Sequence, residues 1–305
     1  MKIRTLLFGA GPGALVYMEN TAEQREFVGF LDNDQAKHGK HYHGLLIYPP
    51  ASINTLQFDQ VVITTQWALA VQKQLLEELA VPDSKVLLPE KNKLKKITPF
   101  VQPDGMALGR QIVKKIAALA LDMDIPLVAD FGTLLGLVRE KDIIQWDDDI
   151  DFSIKDGYAL EVERLLMRFV EESDSKLKWR IFKAKSGQGE ITGMWLKFTD
   201  PQQKLIEFTT SLCFRQVKDD LSLHMPSLGM WFSPRQHFDS VEYINWQDCT
   251  IPVPFDYANY LTFQYGDWQV PKKDIQLSDY ANLRDVEFND IKTANHSAEA
   301  ILEQH

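Results

Sequence analysis

Apolar and polar positions in the first part of the chain follow two alternating rhythms. Ile3 to Phe8 is a short apolar run that ends at Gly9-Ala10-Gly11-Pro12-Gly13-Ala14 and leads into a helix-compatible stretch. Glu26 to Asp32, Gln60 to Thr65 and Lys85 to Pro89 read as further strands. Between the last two, Leu69, Val71, Leu75, Leu76 and Leu79 approximate a helical stripe. Strands alternating with helices predict a parallel sheet covered by helices, a small α/β Rossmann-like unit.

The rhythm breaks at Glu90-Lys91-Asn92-Lys93-Leu94-Lys95-Lys96, a basic connector read as solvated linker, which runs out at Pro99 and Pro103. Ile112, Val113, Ile116, Ala117, Ala120 and Leu121 then recur at helical spacing and predict an amphipathic helix. The expected division is a first domain over residues 1–92 and a second over 93–305. The polar tail beyond about Gln276 is expected to be helical in places or frayed.

Further along, Ile150, Phe152 and Ile154 alternate with Asp149, Asp151 and Ser153, the pattern of a half-buried strand. Its pleat sends Asp149 and Asp151 to one face, about 7 Å apart at their backbones, and Asp148 to the other. Asp147 joins the first face if the strand begins early enough. Two such carboxylates repel by about 2 kcal/mol at an effective dielectric of about 20. A divalent cation is the economical remedy, because Mg²⁺ prefers carboxylate oxygens and leaves sites for substrate phosphates.

Composition narrows the classes. The 305 residues are 45% hydrophobic and 25% charged, as in a globular protein able to build a core without disulfides. A formal net charge of -10 argues against nucleic acid as a partner. Cys213 and Cys249 show no metal-binding spacing and fit a reducing compartment. The N-terminal apolar run is too short for a signal peptide, and no apolar stretch approaches the ~20 residues of a transmembrane segment. The expected location is cytoplasmic, with any membrane association peripheral to the inner face.

Two glycine-containing segments carry candidate chemistry. Gly9, Gly11 and Ala14 satisfy G-x-G-x-x-G/A, with Gly13 inside the motif, and Asp32 ends the second strand where a ribose-binding carboxylate would sit. Gly9, Gly11, Gly13 and Asp32 are therefore the candidate N-terminal nucleotide site; a purely structural unit is the alternative. The segment resembles the short nucleotide-binding units attached to many bacterial polysaccharide-biosynthesis enzymes, which often take a nucleotide or nucleotide-sugar. His38, His41 and His43 lie among Lys37 and Lys40 and read as a solvated loop. Upstream of the acidic run, a Gly132-Thr133 turn offers backbone amides and a hydroxyl to phosphate, and Arg139 can add a bidentate pair.

Gly132-Thr133-Leu134-Leu135-Gly136-Leu137-Val138-Arg139, followed by Ile144-Gln145-Trp146-Asp147-Asp148-Asp149-Ile150-Asp151, resembles the signature of the LicD/fukutin family. The resemblance continues through Met194 to Asp200 and Tyr260 to Trp268, with Pro271 following, and covers about residues 105–275. It implies an α+β nucleotidyltransferase-like domain with a mixed sheet. It also implies transfer of a phospho-alcohol (phosphocholine, glycerol phosphate or ribitol phosphate) from a CDP-linked alcohol donor to a glycan or lipid-linked glycan acceptor, releasing CMP. On this reading Asp149 and Asp151 hold Mg²⁺ or Mn²⁺, Gly132, Thr133 and Arg139 grip phosphate, and Lys197 neutralises the leaving group. Lys204-Leu205-Ile206-Glu207-Phe208-Thr209 departs from the family pattern, with Glu where Asp is usual and no proline. Glu207 reads as a strand residue and as third metal ligand or base, with Asp147 a second candidate base. Asp267 is as well explained by a turn as by substrate contact, and His224 and His237 read as ordinary structural or surface residues. Competing readings are a nucleotidyltransferase using a nucleoside triphosphate, a nicotinamide-dependent oxidoreductase, and a non-catalytic nucleotide-sugar-binding protein.

Overall fold

The computed structural model describes residues 2–95, 98–173, 176–272, 280, 282–286, 290–291 and 297–304. The tail beyond Gln276, for which helix or fraying is expected, lies outside them at 277–279, 281, 287–289, 292–296 and 305. Its described segment Ser297–Glu303 is instead a strand, which pairs with the strand Lys178–Lys185. The chain forms two compact units, Met1–Lys96 with Pro271–Tyr280 and Asp285–Lys292, and Ile97–Val270 with Ala281–Arg284 and Thr293–His305.

The first unit contains β1 (Ile3–Phe8), α1 (Pro12–Thr21), β2 (Arg25–Leu31), β3 (His41–Tyr42), β4 (Leu45–Tyr48), β5 (Gln60–Ile63), α2 (Ala68–Lys73) and β6 (Val86–Leu87). They form a sheet in the order β3-β4-β2-β1-β5-β6, parallel except for the β3–β4 hairpin. Leu6 and Phe8 enter one core with Val61, Ile63, Val71 and Leu75, while Leu7 enters a second with Ala14, Tyr17, Phe30 and Val62. A sheet covered on both faces explains why its strands read as continuous apolar runs rather than alternating ones. The hairpin corrects the solvated-loop reading of residues 38–43: Gly44, at φ 82°, turns the chain and Ile47 joins the core. Its strands are too short for a period to show.

The second unit contains α3 (Pro103–Asp122), β7 (Val128–Ala129), α4 (Phe131–Leu135), β8 (Asp149–Lys155), α5 (Ala159–Glu171), β9 (Lys178–Lys185), β10 (Ile191–Thr199), β11 (Thr209–Lys218), β12 (Leu221–His224) and β13 (Phe232–Pro234). After these come α6 (Gln236–Asp239), a separate β14 (Val241–Trp246) and β15 (Cys249–Pro254) hairpin, α7 (Tyr257–Tyr265) and β16 (Ser297–Glu303). The main sheet is mixed, in the order β13-β12-β11-β10-β9-β16, with β8 parallel to β11 and β7 antiparallel to β8. β8 lines one side of β11 from Thr209 to Arg215, which leaves the other side to β10 and then β12. Ile150, Phe152, Ile154, Met194, Leu196 and Phe198 turn to one face and join Ile112, Val113 and Ile116 of α3 and Val162, Leu165 and Phe169 of α5 in the core. The opposite face of β8 and β11 carries the polar residues.

Candidate active site

β8 begins at Asp149, where pairing to Thr209 starts. Ile150, Phe152 and Ile154 are fully buried or nearly so, and this anchors Asp149, Asp151 and Ser153 on the other face. One carboxylate oxygen from each of Asp147, Asp148 and Asp149 lies within 4.8 Å of the other two. Asp148 is thus part of the cluster, contrary to the alternation that assigned it to the opposite face. It precedes the paired strand, so the pleat does not dictate its direction. Asp151 sits one pleat further in. Burial, reinforced by the charges of Asp149, Asp147, Asp130 and Asp148, pushes its carboxyl well above the ordinary carboxylate range. A set of hard oxygens whose charges oppose one another suits a divalent cation such as Mg²⁺ or Mn²⁺.

The short helix α4 covers this strand. Asp130 caps it, accepting from the Phe131 N–H at 2.7 Å. The same carboxylate accepts from Ser153 Oγ (2.5 Å), Tyr260 Oη (2.5 Å) and Arg215 Nη2 (2.7 Å). Asp130 and Arg215 are both 0% exposed. Burial opposes ionisation of Asp130, but Arg215 and the donated hydrogen bonds outweigh it and hold the carboxyl below its usual range. The Arg215 guanidinium lies over the ring of Phe238 (4.3 Å to the centroid) and over that of Phe131 (5.3 Å). Phe131 itself adopts φ 46°, uncommon for a bulky residue and a local strain at the entrance to α4.

Gly132 and Thr133 form the first turn of α4 rather than an open loop. A Cβ at position 132 would overlap Asp147 Oδ2, so glycine is what lets the acidic cluster approach the helix. Thr133 is buried, and its hydroxyl accepts from the Asp151 N–H at 2.9 Å, tying α4 to the acidic strand. Arg139 pairs with Glu140 at 2.7 Å and donates to the Trp268 carbonyl at 3.2 Å.

Lys197 shares a face with the carboxylates: Asp149 is level with Thr209, and Thr209 with Lys197. Glu207 does not lie in a strand. It precedes β11, is half exposed at 51%, and its nearest cation is Arg180 at 3.7 Å. The apolar neighbours that suggested a strand are accounted for otherwise: Phe208 packs into the core beside Phe100 and Phe198. His224 is a structural residue rather than a surface one. It stacks edge-on against Phe131 at 5.3 Å, its Nδ1 shares a hydrogen bond with Ser227 Oγ at 3.0 Å, and burial followed by the Arg215 charge lowers its pKa to about 3.

Asp130, Arg215 and Tyr260 escaped sequence reasoning because 85 and 130 residues separate the partners of Asp130 from it. The local cue was a charged residue, Arg215, directly after the apolar run Leu212-Cys213-Phe214.

In the first unit, Gly9 stands at φ 109° and Gly11 precedes α1 at the carboxyl end of β1, the switch point of the sheet. A Cβ on Gly13 would meet the Thr64 carbonyl oxygen at 2.8 Å, whereas one on Gly11 would meet nothing within 4 Å. Asp32 is 8% exposed and accepts from the Ala10 N–H, the Asp34 N–H and Lys37 Nζ, each at 2.9 Å.

The acidic strand β8 and the capped helix α4 both lie within residues 124–256. Residues 124–256 match the family model described as LicD/FKTN/FKRP, nucleotidyltransferase domain, and the second unit therefore carries the domain of the LicD/fukutin family. Residues 1–87 match the model described as C2185-like, N-terminal. No curated protein gives a significant match. Among solved structures, UDP-D-quinovosamine 4-dehydrogenase from Vibrio fischeri is 25% identical over 28% of this chain and 75% of that one, with a TM-score of 0.23. Myo-inositol dehydrogenase from Corynebacterium glutamicum is 11% identical over 82% of this chain and 80% of that one, with a TM-score of 0.24. Likenesses at these scores carry no argument about activity. Among the described residues no helix is long and apolar enough to cross a membrane.

Proposed function

We propose that this protein transfers a phospho-alcohol group, of the phosphocholine, glycerol phosphate or ribitol phosphate type, from a CDP-linked donor to a sugar hydroxyl of a cell-surface glycan or its lipid-linked precursor. The observation that carries the reading is the meeting of the Asp147, Asp148 and Asp149 carboxylates on the face that also bears Asp151 and Lys197. In the reaction the acceptor oxygen bonds to the phosphorus that carries the alcohol. The bond from that phosphorus to the bridging oxygen breaks, and CMP leaves with the electron pair.

Asp147, Asp148, Asp149 and Asp151 would hold Mg²⁺ or Mn²⁺, which neutralises phosphate charge and orients the donor pyrophosphate. Thr133 and Gly132 keep the carboxylates in register by the contacts to Asp151 and Asp147 described above. Lys197, on the same face as the carboxylates, would offset charge on departing CMP. Asp147 is the better candidate to take the acceptor proton, because Glu207 is exposed and lies towards Arg180. Arg139 contributes to phosphate binding only by exchanging Glu140 for it. The first unit is proposed to bind a nucleotide or nucleotide-sugar at Gly9 and Gly11. Asp32, already bonded to Lys37, contributes there through that lysine's charge.

The test is CMP release from CDP-choline, CDP-glycerol and CDP-ribitol with Mg²⁺ and a glycan acceptor. Pyrophosphate from a nucleoside triphosphate in its place would make the protein a nucleotidyltransferase proper. An unchanged rate in Asp149→Ala would remove the metal assignment.

A further inference from the structure

Three strands carry one continuous row of side chains away from the carboxylates. Asp151 is level with Ser211, Ser211 with Trp195, and Trp195 with Phe182. The neighbouring row runs Asp149, Thr209, Lys197, Arg180. Residues directly opposite in a sheet share a face, so Trp195 and Phe182 lie on the carboxylate side and not in the core. At about 4.8 Å per strand, Trp195 stands about 10 Å from Asp151 and Phe182 about 14 Å. Both rings are half-buried, and the Lys197 ammonium lies over each of them, 5.5 Å from the Phe182 centroid and 5.8 Å from that of Trp195.

We infer that Trp195 and Phe182 form the platform on which the nucleobase of the donor stacks; the inference rests on the donor reading proposed above. The order along the sheet matches the order along a nucleotide. The carboxylates take the pyrophosphate, Lys197 faces the phosphate that departs with the nucleoside, and the two rings lie a ribose beyond it. A sugar acceptor fits this place less well, since its hydroxyl must reach the phosphorus from the side opposite the departing nucleotide. Base-on-aromatic stacking tolerates any base, so the platform sets affinity for a nucleotide without choosing its identity.

Calorimetric titration of the full chain in Mg²⁺ with CMP and with ribose 5-phosphate, which has the phosphate but no base, separates the possibilities. Trp195→Leu keeps an apolar side chain on the strand and removes the π-face. It is expected to weaken CMP roughly tenfold to a hundredfold and to leave ribose 5-phosphate within about twofold. Trp195→Phe is expected to restore most of the CMP affinity, and Phe182→Leu to repeat the selective loss to a smaller degree. Equal weakening of both ligands, or unchanged CMP binding with a raised KM for the glycan acceptor, would overturn the platform while leaving the donor reading intact. A wild-type chain that binds ribose 5-phosphate and CMP equally overturns the platform alone, and one that binds neither overturns both readings.

Discussion

The carboxylate of Asp147 packs directly against the α-carbon of Gly132, where any side chain would overlap Oδ2. The helix and the acidic cluster thereby meet at a point where an added carbon must displace the Asp147 carboxylate. Gly132→Ala raises helix propensity by up to about 1 kcal/mol, so the folded state loses little. Asp147 must turn away, however. The expected result is a Tm close to wild type with at least tenfold slower Mg²⁺-dependent CMP release and a higher Mg²⁺ requirement. An unaltered Mg²⁺ titration would show that Asp147 has no part in the metal site.

If the carboxylate cluster holds Mg²⁺ as proposed, the metal-free protein is the less stable form, because the charges of Asp147, Asp148 and Asp149 then oppose one another without a cation. Saturating Mg²⁺ at about a hundred times its dissociation constant adds about 2.7 kcal/mol. EDTA should therefore lower the Tm of the wild type. Asp149→Asn relieves one of the charges that push Asp151 upward, so it should raise the metal-free Tm and abolish the response to Mg²⁺. Differential scanning calorimetry with and without the ion reads both effects.

The buried Asp130–Arg215 pair offers a stability test separate from chemistry. Removing one partner leaves an uncompensated buried charge, and Arg215→Met or Asp130→Asn is expected to cost about 3–5 kcal/mol. Tyr260→Phe keeps both charges and deletes the hydrogen bond donated to Asp130 together with the one accepted from Arg215, and should cost about 1.5–3 kcal/mol. Urea unfolding of the single and double variants gives the values, and near-additivity of Arg215→Met with Asp130→Asn would contradict the pairing.

His224 makes stability depend on acid. Its folded-state pKa is lowered from 6.5 to about 3. Between those values the unfolded chain binds a proton that the folded chain does not, so stability falls as pH drops below about 6.5 and is insensitive to this group above it. The slope is at most about 1.4 kcal/mol per pH unit. His224→Gln should flatten that part of the stability curve.

In the first unit, two glycines separate fold from ligand. Gly13→Ala presses a methyl on the Thr64 carbonyl and should lower stability by about 1–3 kcal/mol. Gly11→Ala meets nothing and should leave the Tm unchanged while weakening any nucleotide bound there. Thermal shift with CMP, UMP and UDP-N-acetylglucosamine compares the two, and an equal loss of stability would contradict the packing argument.

Local pattern was sufficient wherever a single element decides the outcome. The apolar runs of β1, β2 and β5, the helical stripe of α3 and the alternation in β8 were all readable, because burial imposes the period of each element on the residues it contains. The orientation of Asp149 and Asp151 followed from the same alternation. The β3–β4 hairpin was missed for want of length, and Asp148 was assigned to the wrong face because alternation was extended past the point where pairing begins.

By itself, then, the sequence determined an α/β sheet followed by a mixed one, and the acidic strand with its glycine and threonine upstream. Only the tertiary structure decided that Asp148 joins Asp147 and Asp149, that Thr133 holds Asp151 and that Glu207 stands outside a strand. It also decided that Asp130, Arg215 and Tyr260 meet beneath the site. Each of these depends on which strand lies beside which. Strand neighbours are chosen by packing across many residues of separation, and no local period records that choice.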